Sequence, residues 1–172
     1  FDIRKDVLYC DRITSQKRRS TIIVLNIILN SLLKWFAPIL SFTTEEIYQL
    51  IKKEKSIHLE KFIIYPAKFN NVSLSSKWNK ILEIREKCNI SIEEKRTSKE
   101  IGSSLEAELE IFLNNDLKVV FEDIDLAEIC ITSNAIINFN ENENIIIQTR
   151  KAQGIKCPVC WKINPSRCLR HS

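Results

Sequence analysis

The chain has 172 residues, 44% of them hydrophobic and 28% charged, with a formal net charge of +4. That balance excludes a disordered polymer and allows one domain or two small ones. The charge is uneven. Residues 1–61 carry 11 Lys/Arg against 7 Asp/Glu, residues 62–150 carry 10 against 15, and residues 151–172 carry 5 against none. Basic ends around an acidic middle suggest a polyanionic partner, most often nucleic acid.

Residues 1–36 read as helix. Between Thr21 and Phe36 nearly every residue is apolar, and Asn26, Asn30 and Lys34 form one narrow polar stripe at i, i+4, i+8. Such a helix is expected to be buried on most sides, as in a bundle. Its most apolar run, residues 22–33, is too short and too polar to span a bilayer, which needs about 20 apolar residues. No signal peptide is legible at the start, and the chain contains no Met, so it reads as a fragment of something longer. Pro38 ends or kinks the helix. Thr43 with Glu46 makes a capping-box pattern, so a new helix is expected from about Thr44 to Lys53. Residues 54–75 show no clear period and read as a connection. Residues 78–96 are helical again, with Trp78, Ile81, Leu82, Arg85, Cys88 and Ile92 on one side and a Glu83–Lys87 pair on the other. Together these predict a bundle of roughly four helices over residues 1–97.

After Gly102 the period changes to two. Leu105, Ala107, Leu109 and Ile111 alternate with Glu106, Glu108 and Glu110, which predicts a strand with one wet face. Residues 115–121 read as a short helix. Residues 127–137 and 145–150 read as further strands, with residues 138–144 as a loop. No internal repeat is present. The predicted fold class is α+β, mainly α: a helical bundle (1–97), a small α+β unit (98–151) and a short terminal module (152–172).

The terminal module holds Cys157, Cys160, Cys168 and His171, spaced C-x2-C, seven residues, C-x2-H. Two such pairs wrap a tetrahedral ion with sulfur at about 2.3 Å and imidazole nitrogen at about 2.0 Å. The segment is too short for a core of its own, so bound metal supplies most of its folding energy. One structural zinc ion is the expected occupant. With no open position and no nearby carboxylate, a catalytic metal is not expected. A disulfide or a frayed tail of free thiols are the competing readings. Cys10, Cys88 and Cys130 sit among apolar neighbours and read as core residues in a reducing cytosol. Lys151, Lys156, Lys162, Arg167, Arg170 and Trp161 surround the ligands. Cations and a flat ring suit phosphates and unpaired bases, although Trp161 equally reads as a cover over the metal.

These residues resemble the isoleucyl-tRNA synthetase family. Phe1-Asp2-Ile3-Arg4-Lys5-Asp6 with Leu8-Tyr9-Cys10 is similar to a helix of that family's anticodon-binding bundle, and Arg18-Arg19-Ser20 fits the next segment. Ala37-Pro38-Ile39-Leu40-Ser41-Phe42-Thr43-Thr44-Glu45-Glu46 and Gly102-Ser103-Ser104-Leu105-Glu106-Ala107 are shared with related class I synthetases. Arg150-Lys151-Ala152 and Gly154-Ile155-Lys156-Cys157-Pro158-Val159-Cys160-Trp161 discriminate best, resembling the zinc-bearing tail of the bacterial enzymes. The family's second metal pair is C-x2-C after a longer spacer, whereas here it is Cys168 and His171. The resemblance reaches neither the catalytic Rossmann domain nor the editing domain, so this stretch is expected neither to activate isoleucine nor to bind ATP. It implies tRNA and the rest of a synthetase chain as partners, no membrane, a monomer and a cytoplasmic location. With their charge, it marks Arg4, Lys5, Arg18 and Arg19 as phosphate contacts. Two other classes stay open: the zinc finger of a DNA-repair glycosylase, which needs a Pro-Glu start not seen here, and a stand-alone zinc protein that binds other proteins.

Overall fold

The computed structural model describes residues 1–53, 55–142 and 144–171. They form an α+β fold, mainly α, in two compact units, Val7–Asn70 and Phe1–Asp6 with Asn71–Ser172. These units do not follow the expected boundaries at 97 and 151.

The predicted helix over 1–36 is broken. A 3-10 turn at Asp2–Arg4 leads into α1 (Lys5–Cys10), and α2 (Gln16–Phe36) starts afresh. Ser15 causes the break: its hydroxyl accepts from Arg18 N at 3.3 Å and donates to Asp11 at 2.8 Å. These local bonds offer the backbone an alternative to continuous helix. Helix α2 ends at Phe36, before Pro38, as expected. Helix α3 (Ser41–Ile51) starts three residues earlier than the capping box implied. Leu40 is its N-cap without a side-chain bond, and Thr44 Oγ1 instead donates back to Leu40 O at 2.9 Å.

The core of the Val7–Asn70 unit is small: Leu33, Ala37, Tyr48 and Ile57, with Leu29 packed against them. Glu45 joins α3 to the 3-10 turn Ile57–Leu59, accepting from Gln49 Nε2, Ser56 Oγ and Ile57 N. Those three donors, Gln49 first, hold its carboxyl below the usual 4.5. Lys34 lies 3.1 Å from Glu60 and, ahead of the Tyr48 hydroxyl, holds the Glu60 carboxyl low. The expected burial of α2 is not met. Ser31 and Leu33 are its buried residues, while Ile22, Ile23, Val24, Ile27, Ile28, Leu32, Trp35 and Phe36 are exposed. At 21 residues the full helix is long and apolar enough to cross a membrane by length and composition, unlike the shorter run read from the sequence. Yet Leu33 and Ala37 pack into the core with Tyr48 and Ile57.

Helix α4 (Val72–Thr97) begins six residues before the expected start, because Asn71 Oδ1 caps Leu74 N at 2.9 Å. Its buried stripe is Ile81, Ile84, Cys88 and Ile92, and Lys87 pairs with Glu83 at 3.1 Å outside. The stripe packs on a sheet, with Ala107, Leu109, Ile111 and Leu113. Sequence gives the stripe but not its partner. In that sheet β1 (Ala107–Asn114) is central, parallel to β2 (Asn134–Asn140) and antiparallel to β3 (Ile146–Lys151). Ala107, Leu109 and Ile111 are fully buried, as the period predicted, and Leu113 extends that face, whereas Leu105 precedes the strand in a 3-10 turn, Ser104–Glu106.

The predicted strand over 127–137 is corrected. Asp125 caps Glu128 N at 3.1 Å, so Leu126–Ile129 becomes a helical turn and β2 starts at Asn134. The strand then runs through Asn138, Phe139 and Asn140, which read as loop. The expected helix over 115–121 is present as a 3-10 turn, Asn115–Leu117, and one turn of α-helix, Lys118–Phe121.

Candidate metal centre and nucleic-acid interface

A two-stranded hairpin, β4 (Ile155–Lys156) and β5 (Ile163–Asn164), carries the first Cys pair at its turn. Cys157 N donates to Lys162 O at 2.9 Å and Trp161 N donates to Cys157 O at 3.0 Å, folding the C-x2-C into a knuckle. Trp161 closes it with φ 63, and Gly154 opens the hairpin at φ 132. Ile163 N donates to Ser133 Oγ, and Ser133 N donates to Ala107 O, which fastens the knuckle to the sheet. Two of the quoted motifs meet here. Glu106 accepts from Gly102 N at 3.0 Å through its side chain and from Ala152 N at 2.8 Å through its carbonyl.

The second pair folds back by a turn in which His171 N donates to Cys168 O at 3.1 Å. All four ligand atoms then lie within 4.8 Å of one another. Cys157 Sγ is 3.4 Å and Cys168 Sγ 3.5 Å from His171 Nδ1, and Cys160 Sγ is 3.9 Å from Cys168 Sγ. A tetrahedron with metal–sulfur bonds of about 2.3 Å has sulfur–sulfur edges of about 3.8 Å and sulfur–nitrogen edges of about 3.5 Å. The separations of 3.4, 3.5 and 3.9 Å lie close to those edges. A disulfide needs sulfurs about 2.05 Å apart, and Cys157, Cys160 and Cys168 are not bridged. The backbone N–H of Cys160, with that of Val159, aims at the Cys157 sulfur and holds its thiol down at about 6, whereas burial pushes Cys160 up to about 12. The N–H groups favour a thiolate on Cys157, the form that binds metal. These four residues, predicted from spacing alone, can therefore hold a metal ion.

The other predicted contacts fall into two sets. Arg4 is ion-paired with Glu128, and Arg170 with Asp6, both within the chain. Lys5 pairs with Asp2 at 2.9 Å and lies 6.0 Å above the Phe1 ring. Arg18 Nε donates to Leu8 O at 3.0 Å, and Arg19, exposed, reaches Ile13 O at 3.4 Å. Arg167 is exposed. Trp161 is 61% exposed, which argues against a cover over the metal and for a ring that faces outward. Cys88 and Cys130 are buried as expected and Cys10 is half-buried. The neighbouring Cys130 sulfur, with burial, pushes the Cys88 thiol up, which keeps it protonated and unreactive. Sequence reasoning missed Asp6 and Glu128 as partners of the basic residues, and no local signal in the sequence pairs groups so far apart.

Residues 1–111 match the family described as the anticodon-binding domain of tRNA ligase. The whole chain is 61% identical to an isoleucine–tRNA ligase from Pelagibacter ubique, of which it covers 19%. Over 94% of the chain it is 38% identical to the isoleucine–tRNA ligase of Bartonella henselae, and over 95% it is 37% identical to that of Rhodopseudomonas palustris, covering 18% of each. It thus spans about one-fifth of the length of these relatives, at their C-terminal part. The family match covers more than half of the chain, and the chain belongs to the anticodon-binding domain family of the tRNA ligases.

Proposed function

We propose that this chain is the tRNA-binding C-terminal portion of an isoleucine–tRNA ligase, an enzyme that joins isoleucine to its tRNA using ATP in a part of the protein outside this stretch. The observation that carries the reading is the joining, in one chain, of a family match over residues 1–111 to a four-ligand metal group at 157–171. The role is recognition rather than chemistry. The helices lie along the anticodon stem-loop, and the metal module grips close to the loop. Binding there orients the distant acceptor end toward the active site, in the cytoplasm.

The metal is one structural zinc ion held by Cys157, Cys160, Cys168 and His171. Three thiolates and one imidazole suit zinc, and a closed four-ligand set leaves no position for substrate. Phosphate contacts come from Lys5, Arg18, Arg19 and Arg167, and Trp161 stacks on an unpaired base. Arg4 and Arg170 contribute charge near the RNA while held by carboxylates. Phosphates position the RNA, and splayed bases supply sequence.

The test measures metal content of the purified chain, then its binding to isoleucine tRNA, another tRNA, duplex DNA and heparin, with and without a chelator. About one zinc per chain and preference for isoleucine tRNA support the reading. Equal binding to all four means charge alone and refutes it. Preference for duplex DNA moves the chain to the repair-glycosylase class.

A further inference from the structure

The two halves of the metal group are supported unequally. Cys157 and Cys160 sit on a paired hairpin that Ser133 ties to the sheet. Cys168 and His171 sit on an irregular stretch whose Pro165, Ser166, Arg167 and Leu169 are exposed, Leu169 by 95%. A long-range anchor reaches this stretch beside the ligand His171. Arg170 Nη1 donates to Asp6 Oδ2 at 2.5 Å and its Nη2 to the Asp6 carbonyl at 3.2 Å. Both side chains are half-buried, at 30% and 21% exposure. Two nitrogens of one planar guanidinium on one residue fix direction as well as distance. The acceptor is itself fixed, because Ile3 packs on the main core and Arg4 is paired with Glu128 on the helical turn Leu126–Ile129.

We infer that Arg170 is a positioning residue for the metal: latched to Asp6, it holds His171 and Cys168 in place to complete the tetrahedron, so that metal retention depends on the N-terminal turn. This rests on the metal reading above. Three thiolates and a neutral imidazole leave one negative charge around a zinc dication. A guanidinium next to a ligand offsets that charge, while Asp6 fixes where the guanidinium lies. Partners of this outer kind, when removed, cost about 10–100-fold in metal affinity. Arg170, chosen from the sequence as an RNA contact, then affects RNA mainly through the metal.

The experiment uses the full chain loaded with zinc and compares it with Asp6→Asn, Arg170→Gln, the double variant, Arg170→Lys and, as a neighbouring control at an exposed position, Ser166→Ala. Zinc transfer to a chromogenic chelator gives the release rate. Cobalt substitution gives a visible spectrum that reports whether the imidazole is still bound. Circular dichroism of each loaded variant checks folding. The expected result is about 10–100-fold faster release for Asp6→Asn and for Arg170→Gln, with a cobalt spectrum drifting toward loss of nitrogen ligation. The double variant should be no worse than either single one, Arg170→Lys should recover part of the loss, and Ser166→Ala should match the parent. Parental release and spectrum in the latch variants, or additive effects in the double, overturn the latch and leave the metal reading standing. A parent that takes up no metal overturns both. If Arg170→Gln fails to fold, Asp6→Asn and Arg170→Lys decide by the same readouts.

Discussion

Replacing Gly154 with alanine tests the hairpin on which the metal centre is built. Gly154 has φ +132, a conformation that side-chain-bearing residues rarely adopt, and an added Cβ lies 2.1 Å from Asn164 O and 2.6 Å from its carbonyl carbon. Both atoms are backbone, on β5, so no side chain can swing aside. Real contacts begin near 3.0 Å, so the strands must part by about 1 Å or Gly154 must change its φ, at about 1–3 kcal/mol for the backbone strain alone. Either route shifts Ile155↔Asn164, the pair that sets the knuckle of Cys157 and Cys160. A cost of about 2 kcal/mol corresponds to roughly 30-fold weaker zinc binding. The matched control is Gly102→Ala, whose Cβ meets Glu106 Oε2 at an ordinary 3.5 Å without a left-handed φ. It should change binding by less than about threefold, as surface substitutions usually do. Competition against a chelator of known affinity measures both. If Gly154→Ala retains zinc as tightly as Gly102→Ala, the close approach of Gly154 to β5 is wrong.

Three further outcomes are expected. Leu109→Ala, at a fully buried position of the central strand, should cost about 2–5 kcal/mol in urea unfolding, whereas Leu169→Ala, 95% exposed, should stay within about 0.5 kcal/mol of the parent. The Glu45 carboxyl lies below its unfolded value of 4.5. Its contribution to stability is therefore complete above pH 4.5 and is lost as pH falls through the lowered folded value. Glu45→Gln should flatten the acid limb of a melting-temperature profile, and an unchanged limb refutes the assignment. Trp161→Ala should weaken tRNA binding by about 1–3 kcal/mol while zinc content stays at the parental level. Loss of zinc with the tryptophan would instead make the ring a cover for the metal.

Much of this protein was legible because its signals are local. The C-x2-C and C-x2-H pairs named all four ligands, since each two-residue gap encodes its own turn. The alternation over residues 105–111 encoded the inward positions Ala107, Leu109 and Ile111 of β1, and Pro38 marked the end of α2. Errors came where a side chain redirects its own backbone. Ser15 broke the first helix, Asn71 started α4 early, and Asp125 turned an Ile-rich strand into a helical turn. Each is a short polar side chain bonding a backbone N–H three residues on, and periodicity does not register such bonds.

What the tertiary structure decided is which surfaces meet. The stripe on α4 is equally compatible with a bundle or a sheet, and long-range packing chose the sheet. Arg4 and Arg170 carry the same charge in the sequence as Arg167, yet folding brings carboxylates from residues 128 and 6 to the first two and leaves Arg167 exposed. Local chemistry sets which groups can bind a metal or a phosphate. Contacts across more than a hundred residues set which of them are already engaged, because Coulomb and packing energies depend on distance in space and not along the chain.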